Sequence, residues 1–81
     1  MELKFTKHAV EKMYERGIHE NEVYEVFERP RLVLSGDPSV IIGRTSRNRF
    51  LSLIIDEERH LLITLWPASR RQRKMYERRV K

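Results

Sequence analysis

The chain has 81 residues, with 17 Lys or Arg against 12 Asp or Glu, a formal charge of +5 and 36% charged residues. That length supports one small core, a single domain over residues 1–81, and excludes a multi-domain enzyme. The chain has no cysteine, which excludes disulfide frameworks and thiol chemistry, and no apolar run approaches the roughly 20 residues of a membrane helix.

The absence of cysteine favours a cytoplasmic protein, and Met1-Glu2-Leu3-Lys4 leads straight into an amphipathic pattern without the composition of a signal peptide. Thr6 has the chemistry of a helix N-cap and is followed by Val10, Met13 and Tyr14 at helical spacing. Phe5 before the cap and Val10 beyond it would form a hydrophobic staple, and Gly17 ends the helix. A second start follows, with Ile18 and Val23 as the staple around His19 in the cap position. Glu20 and Glu22 fall in its first turn, where the helix dipole favours anions. Val23, Val26 and Phe27 form its apolar stripe, and Pro30 stops it at or before Arg29.

The pattern then changes to strands. Leu32-Val33-Leu34 and Val40-Ile41-Ile42-Gly43 flank a turn at Ser35-Gly36-Asp37-Pro38-Ser39, and Ser46-Arg47-Asn48 reads as a hairpin tip. Two longer apolar runs, Arg49 to Ile55 and His60 to Trp66, flank the polar turn Asp56-Glu57-Glu58-Arg59. Strict alternation places Leu51, Leu53 and Ile55 opposite Phe50, Ser52 and Ile54. It places Leu61, Ile63 and Leu65 opposite His60, Leu62, Thr64 and Trp66. Both faces are apolar enough to need cover, one by helices and the other in part. Pro67 marks the last strand's end, and Ser69 with Gln72 forms a capping box opening a final helix. The expected fold is α+β: two N-terminal helices, a four-stranded antiparallel meander sheet and a C-terminal helix.

The final helix holds the charge. From Ala68 on there are seven Lys or Arg against one Glu, a net of +6, and the residues before it carry a net of −1. Its apolar residues are only Met75, Tyr76 and Val80, so its basic face stays available for phosphate or an acidic partner. Arginine predominates, and its planar fork grips a phosphate with two hydrogen bonds. Arg71, Arg73, Lys74, Arg78 and Arg79, with Arg47 at the hairpin tip, are the expected RNA grip. Arg44 and Arg49 flank that tip and would face the same phosphate as Arg70 if their strands neighbour the last strand's end. His8, in the first turn of the first helix, is a candidate general base facing an anion; His19 and His60 read as structural. No histidine pair has metal-ligand spacing. Tyr76 reads either as a packing residue with Met75 or as a stacking or proton-donating group. Ser69 is explained by capping, though its hydroxyl is a nucleophile in principle. There is no glycine-rich phosphate loop and no Gly-x-Ser-x-Gly elbow.

Phe5-Thr6-Lys7-His8-Ala9 and Glu15-Arg16-Gly17-Ile18 resemble the opening F-T-x-H-A…x-R-G-I of small toxin-like domains. Ile41-Ile42-Gly43-Arg44-Thr45, the apolar hairpin, and Ala68-Ser69-Arg70-Arg71 followed by Tyr76-Glu77 resemble the second half of BrnT-type toxins of the RelE-like superfamily. BrnT-type sequences open with a tryptophan-containing segment; this chain opens with His8-Ala9, as a related group of uncharacterised domains does. The resemblance implies an α+β fold with a curved antiparallel sheet. It implies a ribonuclease of a type II toxin–antitoxin module, neutralised by a ribbon-helix-helix antitoxin. It points to Arg44, Ser69 and Arg70, with His8 and Tyr76 as helpers. The expected activity is therefore a metal-independent endoribonuclease that needs no cofactor and inhibits translation, with RNA as substrate and the ribosome as a further association. Arg44, Arg49 and Arg70 would stabilise charge on the phosphoryl oxygens, and His8 or Tyr76 would move protons. The rival expectation is a non-catalytic nucleic-acid-binding or protein-interaction module of the same fold.

Overall fold

A computed structural model describes residues 2–29 and 31–80, so Met1, Lys81 and the expected helix stop at Pro30 lie outside the described residues. The first strand is one that periodicity does not reveal: β1 (Lys4–Phe5). The rest follow as α1 (Lys7–Arg16), α2 (Glu20–Glu28), β2 (Leu32–Leu34), β3 (Ser39–Arg44), β4 (Phe50–Asp56), β5 (Leu61–Pro67) and α3 (Arg70–Arg79). The Lys4 amide donates to the His60 carbonyl at 2.7 Å and the Thr6 amide to the Leu62 carbonyl at 3.1 Å, so β1 lies parallel to β5. The expected four-stranded antiparallel meander is thus corrected to a five-stranded mixed sheet, ordered β1-β5-β4-β3-β2. A two-residue strand is too short to leave a period of two; backbone pairing alone defines it.

Thr6 caps α1, accepting from the Ala9 amide at 3.0 Å, and its hydroxyl donates to the Ile63 carbonyl at 2.6 Å. That second bond fixes the rotation of the helix. Ala9 and Met13 turn inward, while Val10 is 52% and Tyr14 90% exposed. The expected Phe5–Val10 staple therefore does not form; Phe5 packs against the Tyr24 ring instead, at 6.2 Å. Gly17 ends α1 in the left-handed region at φ +61°, donating to the Met13 and Tyr14 carbonyls. Ile18, just before the α2 cap, and Val23 within α2 are both buried, as the second staple requires, and Val26 lies flush on β3. A Cβ at Gly43 would come within 2.9 Å of Val26 Cγ1, so a side chain there would hold the helix off the sheet.

Ile41, Leu51, Leu53 and Ile55 face α1 and α2 and are buried, as alternation predicts for β4. Each such side chain contributes ~1.5–3 kcal/mol of burial free energy. On β5 the buried pair is Leu62 and Leu65, not the Leu61, Ile63 and Leu65 that alternation predicts. The register explains the difference. Ile54 pairs with Thr64 and Ile55 with Leu62, so Ile63 is an extra residue, a β-bulge that reverses the facing of everything on one side of it.

The opposite face of the sheet carries Leu32, Val40, Ile42, Phe50, Ser52, Ile54 and Trp66. α3 packs over its β2–β3 half, burying Leu32 and Ile42. No residue of α3 is itself buried. The β5 side of this face is left open, with Trp66 48% exposed. Among the described residues no helix is long and apolar enough to cross a membrane.

Candidate nucleic-acid interface

Two residues facing each other across β3 and β4, Arg44 and Phe50, start the site. Alternation puts both on the α3 side. The Phe50 ring meets Tyr76 edge-on, with centroids 5.6 Å apart at 76°. The Arg73 guanidinium sits 4.3 Å and that of Arg44 5.9 Å from the same ring centroid. Each cation–π contact contributes ~0.5–1 kcal/mol at an exposed site, and together they hold two cations and a phenol around one aromatic ring. Beside them opens a cavity of about 380 Å³ lined by Arg29, Arg44, Thr45, Ser46 and Tyr76.

The first turn of α3 builds a neighbouring groove of about 500 Å³, floored by Val40, Ile54 and Trp66 and edged by Ser69, Arg71 and Gln72. Ser69 is the N-cap that its spacing to Gln72 predicts. Its Oγ accepts from the Gln72 amide at 3.1 Å, and Gln72 Oε1 accepts from the Ser69 amide at 3.0 Å. Gln72 Nε2 also donates to Ser52 Oγ at 3.3 Å, pinning the helix start to the sheet. Arg70, Arg71, Arg73, Lys74, Arg78 and Arg79 are exposed along α3. With Arg44, they form no ion pair among the described residues. Their charge is left uncompensated beside both openings.

Arg49 points the other way, because it precedes Phe50 and takes the opposite face. Its NH1 and NH2 donate to the Arg16 and Gly17 carbonyls at 3.3 and 2.7 Å, and its Nε lies 3.3 Å from Glu22 Oε2. Glu22, buried to 2% exposure, also accepts from Thr45 Oγ1 at 3.1 Å and from the His19 amide at 3.2 Å. Arg47 NH1 lies 3.8 Å from its other oxygen. Glu22 and Arg49 therefore fasten the hairpin tip to the α1–α2 turn. Nearby, hydrogen bonding from Ser46, through its side chain and its amide (3.1 Å), holds the Glu25 carboxyl below the ordinary glutamate range; the Arg29 guanidinium adds to this and burial opposes it.

A family model for a domain of unknown function, DUF4258, matches residues 5–67. The chain belongs to the DUF4258 family. No curated protein and no solved structure matches it. The matched span runs from β1 to the end of β5. In this DUF4258 chain it contains Arg44, Phe50 and Trp66 and stops before α3, the helix that carries the charge excess.

Of the residues singled out in the sequence, the fold brings Arg44, Arg73 and Tyr76 together and sets Arg70 and Arg71 on the adjoining turn. It does not bring His8 or Arg49 to them. His8 is exposed on α1, in a shallow depression with Val10 and Tyr14, and the sheet separates it from Tyr76. His19 caps α2, and His60 sits in the β4–β5 turn at φ +51°. Sequence reasoning missed Phe50, Trp66, Arg29 and the buried role of Glu22. One signal was available: alternation puts two aromatics, Phe50 and Trp66, on the sparsely covered face beside the basic helix. Among the described residues no three of His, Cys, Asp and Glu gather as a metal site.

Proposed function

We propose that this DUF4258 domain is a metal-independent endoribonuclease that binds single-stranded RNA on its α3 face. The observation that carries the reading is the meeting of Arg44, Arg73 and Tyr76 on one ring, next to a cavity also lined by Arg29. RNA supplies its own nucleophile. The 2′-hydroxyl oxygen forms a bond to the adjacent phosphorus and its proton leaves to solvent water in the open site. The P–O5′ bond breaks, and the departing O5′ takes a proton from the Tyr76 hydroxyl, which water restores. The products are a 2′,3′-cyclic phosphate and a 5′-hydroxyl. Arg44 and Arg73 oppose the charge that builds on the nonbridging oxygens, often the largest catalytic contribution. Arg71, Lys74, Arg78 and Arg79 hold neighbouring phosphates, and Arg70 sits at the start of that track.

In this reading the protein is a toxin of the type II kind that acts in the cytoplasm on translated RNA. A small acidic antitoxin of the ribbon-helix-helix class covers α3, since sequestering the substrate grip silences the enzyme. The test is cleavage of end-labelled RNA in EDTA by the wild type, Arg44→Ala and Tyr76→Phe, scoring cyclic-phosphate ends. Wild type that cleaves no RNA, with or without translating ribosomes, overturns the enzymatic reading.

One observation favours the second reading, a binding module without catalysis. Ser69 Oγ is engaged as a cap and His8 lies across the sheet, so among the described residues that line the cavity Tyr76 alone is left for the proton transfer of the first reading. Binding without cleavage, with log affinity falling linearly in log salt concentration, identifies that outcome.

A further inference from the structure

Trp66 has no role in the cleavage chemistry, yet it is the large aromatic that the fold leaves on the open half of the α3 face. It is 48% exposed although it lies within a strand whose neighbours Leu62 and Leu65 are fully buried. Val40 and Ile54 line the same groove as apolar floor, and Arg71 stands at its edge. Trp66 pairs with Ser52, two residues from Phe50 on the same face of β4. It is therefore the diagonal neighbour of the Phe50 cluster, at a backbone separation of roughly 7–8 Å. On the same face Leu32 and Ile42 are buried under α3, whereas Trp66 stays open.

We infer that Trp66 is a stacking platform for one base of single-stranded RNA, next to the phosphate held at Arg44 and Arg73. The inference rests on the RNA reading above and adds to it a base-recognition subsite. Charge complementarity selects the occupant. A ligand here must offer a flat apolar face to Trp66 and negative charge to Arg71 and the arginines of α3, none of which is paired within the described residues. A nucleobase with its own phosphate offers both. An indole accepts any base, so the subsite fixes register along the strand rather than sequence. It also favours single strands, because a base inside a duplex cannot lie flat on the indole.

Trp66 is the chain's one tryptophan, so its fluorescence reports on this position alone. The experiment titrates hexa-adenylate with nonreactive 2′-O-methyl riboses, and separately inorganic polyphosphate, into the wild type, Trp66→Ala and Trp66→Phe. Fluorescence and an independent binding readout, competition against labelled RNA by anisotropy, are followed together. The expected result is quenching by the oligonucleotide but not by polyphosphate. Trp66→Ala should weaken oligonucleotide binding by about 5- to 150-fold, the range of one lost base stack, and Trp66→Phe should recover most of it. Polyphosphate affinity should be the same in all three proteins. Oligonucleotide binding of wild-type strength in Trp66→Ala, or equal quenching by polyphosphate, overturns the platform and leaves the RNA reading standing. Failure of the wild type to bind the oligonucleotide or any single-stranded RNA overturns both.

Discussion

Replacing Glu22 by alanine removes the acceptor on which three segments converge: the Thr45 hydroxyl, the Arg49 Nε and the His19 amide. A hydrogen bond to a charged group is worth ~1.5–3 kcal/mol, but the three losses do not add in full. The Arg49 side chain is 36% exposed and keeps its bonds to the Arg16 and Gly17 carbonyls, so it rehydrates in part. Arg47 is 53% exposed and contributes little. Thr45 is the costly partner, since its buried hydroxyl loses the group to which it donates. The net destabilisation is about 2–4 kcal/mol, set by one orphaned hydroxyl and one weakened ion pair. A domain of this length has a total stability of about 4–12 kcal/mol, so the variant loses a large share of it. Urea unfolding followed by Trp66 fluorescence and far-ultraviolet circular dichroism measures this, with a melting temperature lowered by ~10–25 °C. Glu22→Gln keeps one acceptor oxygen and should fall between. A loss below about 0.5 kcal/mol for Glu22→Ala, within the range of ordinary surface substitutions, refutes the idea that this carboxylate fastens the tip to the helix turn.

Gly43→Ala should cost about 1–3 kcal/mol in urea unfolding, because the new methyl meets Val26 Cγ1 at 2.9 Å and a β-branched side chain in a helix has little rotamer freedom to yield; Val26→Ala in the same chain should recover part of the overlap cost. Glu25 has a folded pKa below its unfolded one, so its stabilisation is complete above the unfolded value and disappears as pH falls through the folded value. Wild type should therefore lose stability more steeply than Glu25→Gln as pH falls below about 4.5, in melts across that window. Tyr76→Phe should lower RNA cleavage by ~10²–10⁴-fold while leaving RNA affinity within a factor of about two, since the edge contact with Phe50 survives; an unchanged cleavage rate removes Tyr76 from the chemistry.

What was legible in the sequence was local. Thr6, Gly17 and the Ser69–Gln72 box signal through residues three or four apart, and each stands where its spacing places it. The alternation of Leu51, Leu53 and Ile55 was legible because β4 is regular on their side of the sheet. What was lost depends on partners far along the chain. Glu22 shows its dipole position in α2, but its burial follows from Thr45 and Arg49, more than 20 residues later. β1 exists through β5, nearly 60 residues away. Arg49 is close to Arg44 in sequence, but a strand sends alternate residues to opposite faces and only Arg44 shares a face with Phe50.

The extra residue at Ile63 puts β5 out of phase with itself: its two ends obey opposite conventions for inside and outside. Leu62 is anchored beside β1 and α1. If Ile63 were instead paired in regular register while Leu62 stayed opposite Ile55, Ile63 would stand opposite Ile54, Thr64 opposite Leu53, Leu65 opposite Ser52 and Trp66 opposite Leu51. Leucine and tryptophan would exchange sides, with the indole driven into the space under the helices and the α3 face stripped of its one large open aromatic. One inserted residue thus works as a phase switch, letting a single short strand complete the helix-covered core at both ends while still turning Trp66 toward whatever the basic helix attracts.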